Sequence, residues 1–293
     1  MATTILSSFQ ALKQNLEITD NQSTTVSTRQ QHVRTAVEKD LTVNDSFLTG
    51  SYSRSTLISP LKDSDVDIFT VLHSKYFHHY NKQNGGQAGL LDHVKRTLLK
   101  TYSKTPDISR NGQAVTIRFE DFAIDVVPGF ERKGGGYLIP NSIKQNWIST
   151  DPKSHVQIFS EANLLHEGNL IPIIKMIKAW NKNINKYFRS FHLEVVALII
   201  FQNVTISDYP SGIRYFFDKG RAAIRQQNLD PAGYGGDVGY YIDTNEKITE
   251  SVSKFQLAYE RAIKAEDFAN KSNISNAVEY WRLIFGNSFP VYG

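Results

Sequence analysis

The sequence predicts an α+β fold in two lobes. Three observations carry this. Strand-like segments are confined to the first half, between about residues 45 and 140. From Asp151 onward the apolar spacing is helical almost to the end. Strands first and helices afterwards is the order of an α+β chain rather than of alternating βαβ units. The boundary is expected near residues 140–155. This gives a mixed-sheet lobe with flanking helices over residues 1–150 and a helical lobe over 151–293, with a cleft between them as the natural ligand site. A chain of 293 residues is long enough for two packed lobes of this kind.

The elements follow in order. Ile5 to Leu16 has helical spacing, and Val26 to Leu41 reads as a second helix with Ser27 or Thr28 at its cap. Asp45 to Leu48 begins a strand that runs into Gly50-Ser51. Ser64 to Leu72 is an apolar strand carrying two aspartates. Leu91, Val94, Leu98 and Leu99 mark a helix over Leu90 to Tyr102. Ala114 to Pro128 reads as a hairpin turning near Glu120-Asp121. Gly134-Gly135-Gly136 predicts a mobile segment that ends at Pro140 and is a candidate lid. Helices are expected at about 152–167, 170–188, 190–206, 210–227, 246–269 and 273–285. The glycine-bearing stretch Asn228 to Asp243 is expected to be a loop.

Composition narrows the function classes. Apolar residues make up 40% and charged residues 21%, an ordinary globular balance. The net charge of +4 suits a protein with an anionic ligand and is too small for one that coats nucleic acid. Cysteine is absent, which excludes disulfides, a thiol nucleophile and a cysteine-based zinc site. The longest apolar run, Val195 to Phe201, falls far short of a membrane span. The start of the chain has no signal-peptide pattern, so a cytoplasmic location without membrane attachment is expected.

The chemistry concentrates in three aspartates. Successive strand side chains face opposite ways, so Asp65 and Asp67 share one face while Val66 and Ile68 enter a core. Asp125 stands in the apolar strand Phe122 to Val127, on the face opposite Phe122, Ile124 and Val126. If the hairpin pairs beside the first strand, the three carboxylates converge. Like charges held together need a cation between them. Magnesium suits oxygen ligands, and paired ions at such a site serve phosphoryl or nucleotidyl transfer. Asp125 is placed to accept a hydroxyl proton. Just upstream, Gly50 and Ser51 offer backbone N–H groups and a hydroxyl to phosphate, with Ser53 a further candidate. Asp63 lies before the strand and is expected to be solvated or to cap a turn. A D-x-D pair alone is common in turns and surface strands. G-S, thirteen residues, D-x-D and then an apolar strand with one aspartate about sixty residues later is a far more specific pattern.

On these residues the chain resembles the DNA polymerase β-type nucleotidyltransferases, and within them the CD-NTases, bacterial relatives of cyclic GMP–AMP synthase and oligoadenylate synthetase. The resemblance extends through most of the chain. Ile174-Lys175-Met176-Ile177-Lys178-Ala179-Trp180 resembles the helix that carries a triphosphate-binding lysine, which implies that role for Lys178. Arg189-Ser190-Phe191-His192-Leu193-Glu194 resembles the segment whose serine touches the triphosphate and whose aromatic neighbour stacks on the base. That makes Ser190 and Phe191 donor contacts. Tyr280 to Gly286 resembles the family's C-terminal helix. The resemblance implies NTP substrates (ATP, GTP or others), two Mg2+ ions replaceable by Mn2+, pyrophosphate release, and a cyclic di- or trinucleotide messenger in bacterial anti-phage signalling. A regulatory protein partner or an activating ligand is a further expectation for activation, and no motif here identifies either. There is no zinc-ribbon insert, so DNA sensing of the animal kind is not expected.

Lys175, Lys178, Lys182, Lys186 and Arg189 recur every three or four positions and would form one helical stripe, its near end toward phosphate and its far end toward water. Phe191 reads equally as core filler. Tyr209, Tyr240 and Tyr241 read as packing residues, and Arg110 and Arg118 have no assigned role. Two alternatives remain at the sequence level. One is a transferase of the same superfamily acting on a tRNA, protein or small-molecule acceptor. The other is a non-catalytic nucleotide sensor, against which the intact aspartate set argues.

Overall fold

The computed structural model describes residues 3–104 and 107–293. They form two compact units. Ile18–Val156 makes one, and the N-terminal segment through Glu17 joins Gln157–Gly293 in the other.

The first unit opens with helix α2 (Asp20–Glu38), which follows α1 (Ile5–Asn15) in the chain. Helix α2 starts earlier than its apolar periodicity suggests. Thr19 caps it, and Gln22 reaches back to the Thr19 backbone, a reciprocal capping box. Strand β1 (Val43–Thr49) runs into a one-turn helix, α3 (Gly50–Ser53). Then come β2 (Asp65–Leu72), α4 (Ser74–Tyr80), α5 (Gly86–Thr101), β3 (Ile108–Asn111), β4 (Ala114–Arg118), β5 (Ala123–Glu131), β6 (Tyr137–Asn141) and β7 (Asn146–Thr150).

The sheet runs β1-β2-β5-β4-β3, with β6 pairing β5 and β7. Only β2 and β5 pair in parallel; the other described pairs are antiparallel. The expected hairpin is β4–β5. The three glycines form the turn of the β5–β6 hairpin, all with positive φ. Pro140 does not end it. The proline sits inside β6, past the residues that pair with β5, where a missing N–H is tolerated.

One sheet face is apolar throughout. Val66 and Ile68 of β2, Val115 and Ile117 of β4, and Ile124 and Val126 of β5 pack with Val33 and Val37 of α2 and Leu91, Val94 and Leu98 of α5. All of these are nearly or wholly shielded from water. At roughly 25 cal/mol per Å2 of apolar surface buried, this layer is the main stabilising term of the unit. It also fixes the register, because a one-residue slip would turn every aspartate into the core.

The second unit contains α1 and the helices α6 (Pro152–Leu165, which crosses the boundary), α7 (Leu170–Asn183), α8 (Ser190–Phe201), α9 (Tyr209–Ala223), α10 (Asn245–Asn270) and α11 (Ile274–Phe285). A division at residue 150 would leave α1 with the strands. Its apolar face decides otherwise. Phe9 meets Trp281 edge-on at 4.8 Å and Phe289 at 5.2 Å, both near the C-terminus. Among the described residues no helix is long and apolar enough to cross a membrane.

Candidate active site

The aspartates come together because of strand register. Strands β2 and β5 run parallel with Asp67 directly beside Asp125, and Asp65 lies two residues earlier on the same face. One carboxylate oxygen from each of Asp65, Asp67 and Asp125 lies within 4.8 Å of the others. Asp65 is exposed, Asp67 half-buried and Asp125 only 9% exposed. The set grades from solvent inward, as expected where a charged ligand enters from one side.

Burial pushes the Asp125 carboxyl above the usual carboxylate range, and the nearby Asp65 charge adds to the rise. Hydrogen bonds from Thr116 and Asn111, and the more distant Arg118 guanidinium, oppose it. Thr116 stands directly opposite Asp125 on β4. The Asn111 side-chain amide donates to Asp125 Oδ2 at 3.2 Å and to Thr116 Oγ1 at 2.9 Å. Asp125 Oδ1 is buried without a hydrogen-bond partner among the described residues. An orphaned buried carboxylate oxygen beside two more carboxylates fits a cation, since hard oxygen ligands of this kind hold Mg2+.

Gly50 closes the site from the β1 side. Thr49 pairs with Asp67, so the chain turns into α3 directly against that carboxylate. The Gly50 φ is +67°, and a Cβ there would lie 1.8 Å from Asp67 Oδ2. Only glycine meets both conditions. The Ser51 carbonyl accepts from the Thr56 and Leu57 N–H groups at 2.9 and 3.0 Å, which ties the turn down. Ser51 and Ser53 are half-buried in this turn, and Asp63 is exposed, as expected. The turn leaves the first N–H groups of α3 without intrahelical partners, the usual feature of a helix start.

The remaining predicted contacts belong to the helical unit. Lys178 is 8% exposed at its side chain, and its ammonium lies 3.2 Å from the fully buried Glu194 carboxylate of α8. Lys175 is likewise buried and paired with Glu17. The expected lysine stripe is therefore corrected: its first two members are internal ion pairs. Helix α7 ends at Asn183, and Lys186 adopts a positive φ beyond it. Ser190, exposed, and Phe191, half-buried 6.4 Å from the Phe159 ring, occupy the first turn of α8.

No side chain caps α8 at Arg189. Instead the Tyr241 hydroxyl accepts the Arg189 backbone N–H at 3.0 Å and pairs with His192 Nδ1 at 2.9 Å. Burial pushes His192 down to about 4 and Tyr241 up to about 12. The Arg189 guanidinium covers both the Tyr240 and Tyr241 rings, at 4.6 and 4.8 Å. Tyr241 is therefore more than a packing residue, whereas Tyr209 is buried as expected. Arg110 pairs with Asp92 and Arg118 with Asp107, both at the surface.

Sequence reasoning missed Asn111 and Thr116. The dipeptide Asn111-Gly112 signals a tight hairpin before an apolar strand, and nothing in it points to Asp125.

Residues 3–163, more than half the chain, match the Second Messenger Oligonucleotide or Dinucleotide Synthetase domain. A probable cyclic nucleotide synthase of Bacillus cereus strain VD146 is 27% identical, across 82% of this chain and 81% of that protein. A cyclic AMP-AMP-AMP synthase of an Acinetobacter strain is 28% identical, across 84% of this chain and 72% of that one. E. coli MS115-1 CdnC, solved with ATP, superposes with a TM-score of 0.78 at 16% identity, covering 97% of this chain and 98% of CdnC. The same CdnC has been solved in complex with HORMA-deltaN. With the fold, the aspartate set and the matched domain in agreement, the chain belongs to the Second Messenger Oligonucleotide or Dinucleotide Synthetase family and is a nucleotidyltransferase of the CD-NTase type.

Proposed function

We propose that the protein joins NTPs into a cyclic di- or trinucleotide on the Asp65, Asp67 and Asp125 face of the sheet. The observation that carries this is the parallel β2–β5 register, which turns two distant sequence motifs into one anionic cluster. Asp65 and Asp67 would hold divalent cations, and Asp125 would complete the set. Two Mg2+ ions, or Mn2+ in their place, would offset the triphosphate charge and make the attacking hydroxyl more acidic.

The chain's own groups do the rest. Asp125 receives the proton as a ribose hydroxyl oxygen bonds to the α-phosphorus. The bond from that phosphorus to the β-phosphate oxygen breaks, and pyrophosphate leaves. Gly50 and Ser51 present N–H groups to phosphate oxygens, with Ser53 in support.

In the helical unit, Ser190 sits where the first N–H groups of α8 lack intrahelical partners and attract anions. We assign Ser190 and Lys178 to the triphosphate and Phe191 to the base. Lys178 is pre-set by Glu194, which fixes its ammonium at one point. Because CdnC was solved with HORMA-deltaN, a regulatory protein partner belongs to this reading for the present chain as well. A cytoplasmic location follows from the need for NTPs, and anti-phage signalling is the consistent role.

The test is to incubate the pure protein with all four NTPs and Mg2+ or Mn2+. Cyclic product without an added acceptor supports the reading. Product that forms only when a tRNA, protein or small-molecule acceptor is supplied overturns it.

A further inference from the structure

We propose that Asn111 and Thr116 form a positioning pair that fixes the orientation of the third aspartate and dedicates its Oδ1 to the divalent cation and the attacking hydroxyl. This deepens the reading above and rests on it. The Asn111 carbonyl oxygen accepts the Ala114 N–H at 3.2 Å, which holds the amide on the β3–β4 turn and assigns its nitrogen as the donor. The two amide hydrogens then go to Thr116 Oγ1 and Asp125 Oδ2. Thr116, with its oxygen accepting from Asn111, stands directly opposite Asp125 on β4, and its hydroxyl is among the groups that favour the charged carboxylate.

The Asn111 side chain uses all three of these bonds to tie the β3–β4 turn, Thr116 and the aspartate together. One Asn111 hydrogen reaches Asp125 Oδ2, the other holds Thr116 beside it, and Oδ1 is left buried with no partner among the described residues. A carboxylate on its own rotates about its last torsion with little preference. Held on one oxygen, it offers the other in a fixed direction. Partners that orient the ligands of a metal site commonly contribute 10–100-fold to affinity or activity.

Asn111 itself is exposed, so its replacement leaves the apolar layer untouched. Thr116 is 5% exposed, and valine matches its shape without the hydroxyl.

The experiment titrates Mn2+ alone into the full chain by electron paramagnetic resonance, alongside steady-state kinetics and melting curves. Asn111→Ala and Thr116→Val should each weaken Mn2+ binding about tenfold and lower kcat to a similar degree. The KM for ATP should stay near wild type, and Thr116→Ser should restore Mn2+ affinity. Wild-type Mn2+ affinity and kcat in both variants, with binding lost in Asp125→Asn, would overturn this inference and leave the proposed reaction standing. A wild-type chain that binds no Mn2+ would overturn both. Should Asn111→Ala fail to fold, Thr116→Val decides.

Discussion

At Asp125 function and stability pull in opposite directions. The group sits among apolar strands, and burial raises its proton affinity above that of the unfolded chain. A raised carboxylate contributes stability that is complete below its unfolded value and lost as pH rises through its folded one. At neutral pH the metal-free site is therefore a cost to the fold. Asp125→Asn removes the charge and keeps the shape. We expect the metal-free variant to melt above wild type at pH 7, read by scanning fluorimetry, while turnover falls by roughly 10²–10⁴-fold. Gly50 makes a steric prediction. Gly50→Ala places a methyl on Asp67 Oδ2 and forces an L residue into a left-handed conformation. Its turnover of labelled ATP should fall by at least about tenfold, because any shift of Asp67 misaligns the cation site. Such residues were legible in the sequence because their types are anomalous: aspartates in an apolar strand and a glycine ahead of it. Asn111 was not, since an asparagine in a turn has an ordinary local explanation.

At the scale of the element, the strands and most helices follow their periodicity, and the departures have local causes. Helix α2 begins at a capping box rather than at its first apolar residue. Helix α7 is buried over nearly its whole length, so Lys175 and Lys178 find carboxylates instead of water. No pattern within α7 announces this, because Glu17 and Glu194 lie in other segments. The start of α8 is held by Tyr241 from the loop at 228–243, which itself folds around the Asp230 and Asp237 carboxylates. His192 gives this junction a pH signature. Its imidazole is neutral in the fold, with a value of about 4 against 6.5 when unfolded. Stability is therefore complete above the unfolded value and lost as pH falls toward the folded one. Urea unfolding should show wild type losing roughly 2 kcal/mol between pH 7 and pH 5 through this residue. His192→Gln should flatten that slope. An unchanged slope would mean that the imidazole is solvated.

For the whole molecule, the proposed contacts divide between the two units. The aspartates and the Gly50 turn belong to one, and Lys178, Ser190 and Phe191 to the other. This order was readable because strand and helix periods separate cleanly along the chain. The allegiance of α1 was not, since its partner rings lie near residues 281–289. The converged carboxylates should catalyse nucleotide joining without any other acceptor. Mass spectrometry of the products formed from ATP, GTP, CTP and UTP with Mg2+ tests it most directly. Wild type should release pyrophosphate and a cyclic di- or trinucleotide, and Asp65→Asn and Asp125→Asn should release at least about a hundredfold less of both. Metal-independent product, or wild-type turnover in either variant, would contradict the account.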